Sequence, residues 1–313
     1  MLAEVIRSGD TESRHRGSLL ILGPDGGPVL RAGQVSGPIF PRSVNKPMQA
    51  AAMLRVGLDL DGKLLALAAA SHSGEDFHVA GVREILAQAG LAESALGCPP
   101  ALPMDEQAQR EVLRGGDGPD RVHMNCSGKH AAMLACCVSA GWPTGSYLDP
   151  AHPLQAAIRA ALEELAGEHI EHAGVDGCGA PLFALSLTGL ARALRVLVTA
   201  PAGTPERRVA DAMRAYPDWT SGSHRPERAL MAAVPGLLVK SGAEGVQGLA
   251  LADGRAATYK IEDGASRPLR AVAVAVLRRL GVTSDPAALD RIAHVPVIGG
   301  EREVGVVRAT LPA

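Results

Sequence analysis

The spacing of apolar residues changes period twice along the chain. Residues 18–22, Ser-Leu-Leu-Ile-Leu, form an apolar run. The turn cluster Gly23-Pro24-Asp25-Gly26-Gly27 and a second extended run at 28–30 follow, the pattern of a β-hairpin. From residue 43 onward the composition and three-to-four spacing predict helices over 43–56, 76–89, 105–114, 127–140, 153–166, 184–196, 205–215 and 225–233. Strand character returns at 246–251 and 257–261 around an Ala-Asp-Gly-Arg turn, followed by a helix at about 267–281 and short strands near 293–309. Strands at both ends with helices between them predict an α/β chain of the α+β type. The expected architecture is one antiparallel sheet from the N- and C-terminal strands, packed with helices, and an inserted, mostly helical region. The 313 residues then form a single catalytic unit, with a sheet lobe at about 1–42 and 234–313 and a helical lobe at about 43–233.

Composition narrows the class. A net charge of −2 argues against nucleic acid or an anionic membrane as the main partner. No apolar run is long enough for a transmembrane helix, and the polar, broken start of the chain does not read as a signal peptide, so a cytoplasmic protein is expected. Five cysteines without scaffold spacing leave reactivity, metal binding or burial rather than a disulfide framework. Of 31 basic residues only five are lysine: Lys46, Lys63, Lys129, Lys240 and Lys260. Arginine does not deprotonate in proteins, so a surviving lysine is either a surface leftover or marks a place where an amine that can lose its proton has a use.

Three lysines fall in chemically informative surroundings. Lys46 closes Ser43-Val44-Asn45-Lys46 where strand gives way to helix, so hydroxyl and amine share one face of the first turn. The bland alternative makes Ser43 an N-cap and Lys46 a solvated side chain. Lys240 ends an apolar strand run as Lys240-Ser241-Gly242, which keeps the lysine, hydroxyl and glycine of the K-T-G element that accompanies S-x-x-K in penicillin-binding acyl-transfer enzymes. Lys129 lies in Cys126-Ser127-Gly128-Lys129-His130 at the start of another helix, and Cys178 sits in the turn Asp176-Gly177-Cys178-Gly179. A helix N-terminus favours a thiolate at Cys126, which leaves open a nucleophilic cysteine, a buried one, or a metal site that matches no standard zinc spacing. In Ser71-His72-Ser73-Gly74-Glu75-Asp76, Ser73 with Asp76 makes a capping arrangement, which leaves Ser71 and His72 to line a site. Gly57 to Lys63 has P-loop spacing, but Leu64 replaces the metal-binding hydroxyl, so Lys63 reads as a surface residue. His169 and His172 read as a solvated face, and Lys260 as an outward strand position beside an unusually polar Asp-Gly-Ala-Ser-Arg turn.

Arg7-Ser8-Gly9, Glu12-Ser13-x-His15-x-Gly17, Arg42-Ser43-x-x-Lys46, Ala70-Ser71-His72-Ser73-Gly74-Glu75, Asn125-Cys126-Ser127-Gly128-Lys129-His130, Asp176-Gly177-Cys178-Gly179-Ala180-Pro181 and Lys240-Ser241-Gly242-Ala243-Glu244-Gly245 occur in this order. Together they resemble the rhizobial-type (class 3) L-asparaginase family, over the chain up to about residue 265. That family is related in fold to serine β-lactamases, penicillin-binding proteins and glutaminases. The resemblance implies hydrolysis of the small molecule L-asparagine to L-aspartate and ammonia by a homodimer. It also implies two Ser-Lys pairs, Ser43 with Lys46 and Ser71 with Lys240, and one Zn²⁺ per chain held by Cys126, Lys129 and Cys178. Asp176 is implied in the substrate site, and Arg42, His72 and Ser241 are the further substrate-binding candidates. A glutaminase, a β-lactamase or peptidase with the same Ser-Lys machinery, and a non-catalytic zinc or amino-acid binding protein are the competing expectations. Residues beyond about 265 carry no motif that matches.

Overall fold

The computed structural model describes residues 1–312. Five strands come first: β1 (Ala3–Arg7), β2 (Asp10–His15), β3 (Gly17–Leu22), β4 (Pro28–Ala32) and β5 (Pro38–Ile39). A 3₁₀ turn, Arg42–Asn45, leads into α1 (Lys46–Val56), α2 (Gly62–Ala68) and α3 (Asp76–Gln88), and after the 3₁₀ turn Glu93–Ala95 into α4 (Glu106–Arg114), α5 (Ser127–Ala140) and α6 (Pro153–Ala166). Short strands β6 (Ala173–Val175), β7 (Pro181–Phe183) and β8 (Leu185–Ser186) precede α7 (Leu187–Thr199), α8 (Pro205–Ala215), α9 (Pro217–Thr220) and α10 (Pro226–Ala233). Then follow β9 (Leu238–Gly242), β10 (Val246–Ala250), β11 (Ala256–Ile261), α11 (Leu269–Arg279), α12 (Pro286–Ala293), β12 (Pro296–Gly299) and β13 (Arg302–Ala309).

The mixed architecture and the joining of the two ends match the expectation, but the terminal strands divide into two antiparallel sheets. One runs β4-β3-β11-β10-β9, the other β12-β13-β1-β2 with Ala3 opposite Ala309. Three helices, α2, α9 and α12, were not foreseen. In α2, residues Leu64 to Ala68 are all buried, so no polar face remains to display a helical period.

The five-stranded sheet is covered on both faces, and strand alternation decides what each face receives. In β9, Leu238 joins the core of the helical lobe, whereas Val239 joins the core shared with α11 and the second sheet. Lys240 therefore points toward the helical lobe and Ser241 toward α11. A Cβ on Gly242 would lie 2.8 Å from Pro41 O and 3.2 Å from Ser43 N, so only glycine lets the 3₁₀ turn lie against the end of β9. Gly128 does the same for the first turn of α5, where a Cβ would meet Leu67 O at 2.7 Å. These two close approaches bring the amino end of α1, the end of α2, the head of α5 and the edge strand β9 to one place.

Candidate active site

At that junction lies a cavity of about 640 Å³ whose walls include Arg42, Ser43, Ser71, Cys126, Asp176, Cys178 and Ser241. Three lysines are buried around it: Lys46 is 1%, Lys129 1% and Lys240 3% exposed. Burial of so long and polar a side chain is stable only when the amine is hydrogen-bonded, and each of these is. Lys46 Nζ donates to Ala70 O at 2.7 Å, Ser71 Oγ at 3.0 Å and Cys126 Sγ at 3.0 Å. From the sheet side, Lys240 Nζ donates to the same Ser71 Oγ at 2.8 Å and to Ser241 O at 2.8 Å. Lys129 Nζ donates to Cys178 Sγ at 3.2 Å.

Two like amines around one hydroxyl cannot both hold a proton cheaply in a dry site. Burial, and then the nearby Lys46 amine, push Lys240 well below the ordinary lysine range. Glu227 opposes that shift and Arg225 adds to it. Lys240 is thus an amine poised to give and take a proton.

Ser43 opens the helix differently from the expectation. Residues Arg42–Asn45 are a 3₁₀ turn, and α1 starts only at Lys46. Arg42 has φ of 49°, a left-handed conformation that is unusual for a non-glycine residue. Ser43 caps no helix, and its hydroxyl, on the cavity wall, makes no hydrogen bond among the described residues. Lys46 reaches Ser71 rather than Ser43.

The Cys126, Lys129 and Cys178 side chains also come together here. The Cys178 thiol, then the two lysine amines, pull Cys126 well below the ordinary thiol range against the cost of its burial, while Cys178 is pushed up by the Cys126 sulfur and by burial. Of the pair, Cys126 is the sulfur favoured to lose its proton. Elsewhere burial alone pushes Cys137 up to about 11, and burial with its neighbour pushes Cys136 up to about 12. Among the described residues no three His, Cys, Asp or Glu side chains are grouped to hold a metal; the Lys129 amine stands beside the two sulfurs.

Asp176 lies on the same wall. Arg42 Nε donates to its Oδ1 at 2.7 Å, and Oδ2 is 3.7 Å from Cys178 Sγ. The carboxyl is held below its usual range: burial raises it, but Lys129 and Arg42 outweigh that. Ser241 presents its side chain to the cavity and its carbonyl to Lys240.

His72 differs from the expectation. It is fully buried and absent from the cavity wall, with Nε2 bonded to Ser127 Oγ at 2.9 Å and Nδ1 accepting Gly74 N–H at 3.2 Å. Its ring braces the loop that carries Ser71 against Ser127, the first residue of α5, beside the backbone bond from His72 N–H to Asn125 O at 3.1 Å. Ser73 also sits outside the cavity; its hydroxyl donates to Glu75 Oε1 at 2.6 Å, and Glu75, not Ser73, stands at the N-cap of α3. Lys63 pairs with Glu84 at 3.4 Å on the surface, and Lys260 Nζ donates to Glu244 O at 2.5 Å, tying β11 to the turn between β9 and β10, and to its neighbour Ile261 O at 2.9 Å.

Several cavity residues went unforeseen. Arg225, Glu227, Gln247, Arg267 and Arg270 line the same space. Glu227 is 6% exposed, yet its Oε2 makes no hydrogen bond and faces Arg225 Nε only at 3.5 Å. In sequence it reads as an ordinary acid in a first helical turn, so nothing marked it.

Hydroxyls set beside buried amines inside one cavity suit a hydrolase. The model of the L-asparaginase II family matches residues 3–309, so the chain belongs to that family and is an amide hydrolase. Solved structures similar to it include a β-lactamase from Mycobacterium bovis, with 16% identity and a TM-score of 0.49 over 85% of this chain and 95% of that one. Others are Mglu in its native form (16%, TM-score 0.46, 85% and 63%) and EstCE1, a hydrolase with promiscuous acyltransferase activity (12%, TM-score 0.45, 84% and 93%). No curated protein matches the sequence. No helix among the described residues is long and apolar enough to cross a membrane.

Proposed function

We propose that the protein is an L-asparaginase that hydrolyses the side-chain amide of L-asparagine to L-aspartate and ammonia through a serine acyl-enzyme. The observation that carries this reading is the meeting of Lys46 and Lys240 at Ser71 Oγ, in the same cavity as the free hydroxyl of Ser43 and the Asp176 carboxylate.

In this mechanism Ser43 Oγ attacks the amide carbon and its proton passes to the Lys46 amine. Lys46 sits three residues along the same turn and closes on Ser43 once substrate fills the cavity, as catalytic hydrogen bonds often do. The Ser43 backbone N–H faces the developing oxyanion. Ser71 relays a proton between Lys46 and Lys240, so that the nitrogen leaves as ammonia when the C–N bond breaks. Water then attacks the ester, returns a proton to the lysine pair and frees Ser43. Asp176, oriented by Arg42, accepts the substrate's α-ammonium, and the Ser241 hydroxyl lies beside the α-carboxylate.

The donor set at Cys126, Cys178 and Lys129 suits one Zn²⁺, which would take the place of the proton that the two sulfurs now hold on the Lys129 amine; Cys126 is already the sulfur favoured as thiolate. A bound zinc would supply a fixed positive charge beside Lys46 and Asp176. Cys126 then serves as a ligand and not as a nucleophile. A homodimer is proposed on the same family grounds.

One observation favours a second reading. Ser71, not Ser43, has two amines on its hydroxyl, so Ser71 itself is the rival nucleophile. Mass spectrometry of quenched enzyme separates the two: the acyl group is expected on the peptide carrying Ser43, and its appearance on Ser71 reverses the assignment. Ammonia release from L-asparagine, L-glutamine and a chromogenic β-lactam, measured side by side, tests the substrate class. Turnover confined to glutamine or the β-lactam overturns the asparaginase reading, and binding of asparagine without any turnover makes the protein a non-catalytic binder.

A further inference from the structure

The turn after β11 and the start of α11 carry no recognised motif, yet they place two guanidinium groups in the active-site cavity. Arg267 precedes α11, Arg270 is its second residue, and both line the wall shared with Ser43, Ser71 and Asp176. Four arginines line this cavity. Arg42 is taken by Asp176 at 2.7 Å, and Arg225 faces Glu227 at 3.5 Å. For Arg267 and Arg270 no acid within ion-pair distance and no side-chain hydrogen bond is found among the described residues. The wall thus carries two cations more than it has carboxylates to answer them.

Local folding does not ask for them. Two arginines at the amino end of a helix oppose its dipole, and the first turn of α11 contains no acid to relieve them. Their base is nevertheless rigid. Tyr259 Oη, fully buried, bonds to Leu269 O at 2.7 Å, and Leu269 and Val272 are in the core. Unpaired guanidinium groups carried on an anchored backbone at the cavity wall, Arg267 exposed and Arg270 half-buried, suit a planar anion with two oxygens.

We infer that Arg267 and Arg270 form the clamp for the substrate's α-carboxylate and so determine specificity for an α-amino acid amide. This rests on the asparaginase reading. It divides the two charged ends of the zwitterion between Asp176 on one side of the cavity and the arginines of α11 on the other. Arg42 then acts on the substrate only through Asp176.

The test compares L-asparagine with 3-aminopropanamide, which keeps the amine and the amide and lacks the carboxylate. In the full-length enzyme the ratio of kcat/KM for the two is expected to fall about a hundredfold in the R267Q/R270Q double variant, mainly through KM for asparagine. A residue that only supports the fold lowers both substrates together and leaves the ratio unchanged, and that outcome overturns the clamp. A ratio that collapses in R42Q but not in R267Q/R270Q returns the carboxylate to Arg42 and overturns it as well. Arg270→Lys is expected to recover part of the ratio, since charge is kept and the fork is lost. Wild-type enzyme inactive on L-asparagine sinks the asparaginase reading instead; calorimetric titration with L-aspartate then still reports the clamp, which is overturned if wild type and R267Q/R270Q bind it equally.

Discussion

Lys46, the first residue of α1, and Lys240, in the edge strand β9, donate to one atom, Ser71 Oγ, at 3.0 and 2.8 Å. Both are buried, and the carbonyls of Ala70 and Ser241 take a further hydrogen from each. An arrangement of this kind works only if a proton can be absent from one amine. Arginine keeps the charge and cannot serve as base, so K46R and K240R are expected to lose at least about a thousandfold in kcat while remaining folded. K63R is the contrast: Lys63 pairs with Glu84 on the surface and lies 5.1 Å from the Trp219 ring, contacts that arginine also makes. Its activity should stay within about twofold of wild type, as surface changes away from special features usually do. Comparable turnover in K46R or K240R would remove the lysines from the proton path.

The environment of Lys240 fixes a direction for the pH–rate profile. Burial, Lys46 and Arg225 lower its affinity for a proton, and Glu227 raises it. If neutral Lys240 is the working form, activity rises as pH increases through its depressed pKa, well below the ordinary lysine range. E227Q removes the stabilising negative charge and should move this rise to lower pH. R225Q removes a repelling positive charge and should move it to higher pH. Opposite shifts in kcat against pH are the expected signature; shifts of the same sign, or none, would show that another group controls the profile.

Much of this was legible in the sequence, for reasons that also explain the gaps. Period separated strands from helices because the amphipathic faces of α6 and α7 repeat cleanly against one core. Ser43, Lys46, Cys126 and Lys129 stood out because each pair is spaced three residues apart, although the fold then sends Lys46 to Ser71 and Lys129 to Cys178. Glu227, Arg267 and Arg270 did not, because only the packing of α10 and α11 against β9 and its neighbours brings them to Ser71. Division into two sheets was equally hidden: it depends on pairing Ala3 with Ala309, a contact that no local pattern announces. His72 is a site candidate in sequence because capping accounts for Ser73 and leaves it unexplained, whereas the turn after it swings its ring into the core.

The proposed zinc site makes a prediction that does not depend on turnover. Metal analysis of protein purified without added chelator should find about one zinc per chain. C178A and C126A should bring the content close to zero, because removing one thiolate of two leaves too few donors. Cys136 supplies the control, being fully buried and bonded only to the Met53 carbonyl at 3.8 Å. C136A should keep its metal and lose about 1 kcal/mol or more of stability from the small cavity it leaves. Full zinc occupancy in C178A would exclude the proposed ligand set.

Stability should fall in mild acid for a reason seen at His78. This ring is buried, with Nε2 bonded to Asp218 O at 3.0 Å and Nδ1 left without a partner. Protonation would bury an N–H with nothing to receive it, and burial holds the pKa down to about 4 from an ordinary 6.5, with Glu75, Asp218 and Asp105 opposing. Below pH 6.5 the unfolded chain takes up the proton and the folded one does not. The contribution is therefore complete above about 6.5 and is lost as pH falls toward about 4. Integrated over that window it amounts to roughly 3 kcal/mol at most. His72 and His130, which burial also holds well below 6.5, act in the same direction. Urea midpoints measured across this range should decline less steeply in H78Q than in wild type; parallel slopes would mean that His78 is not buried neutral.

Gly242 tests whether the turn that carries Ser43 depends on the edge strand. A Cβ there would lie 2.8 Å from Pro41 O, 3.2 Å from Arg42 Cβ and 3.2 Å from Ser43 N. Backbone oxygen and nitrogen cannot rotate aside as a side chain would, so G242A must push the end of β9 away from the 3₁₀ turn. That turn already holds Arg42 in a left-handed conformation, which leaves it little freedom to follow. A displacement of about 1 Å between Ser43 and the groups around it is enough for a loss on the order of a hundredfold in kcat. Melting should drop by only a few degrees, since the strand's pairing with β10 survives. Gly37 is the matched control, because a Cβ there meets nothing within 4 Å. G37A should be neutral in both measurements. A G242A enzyme as fast as G37A would show that Ser43 is positioned by its own turn alone, with no help from the strand beside it.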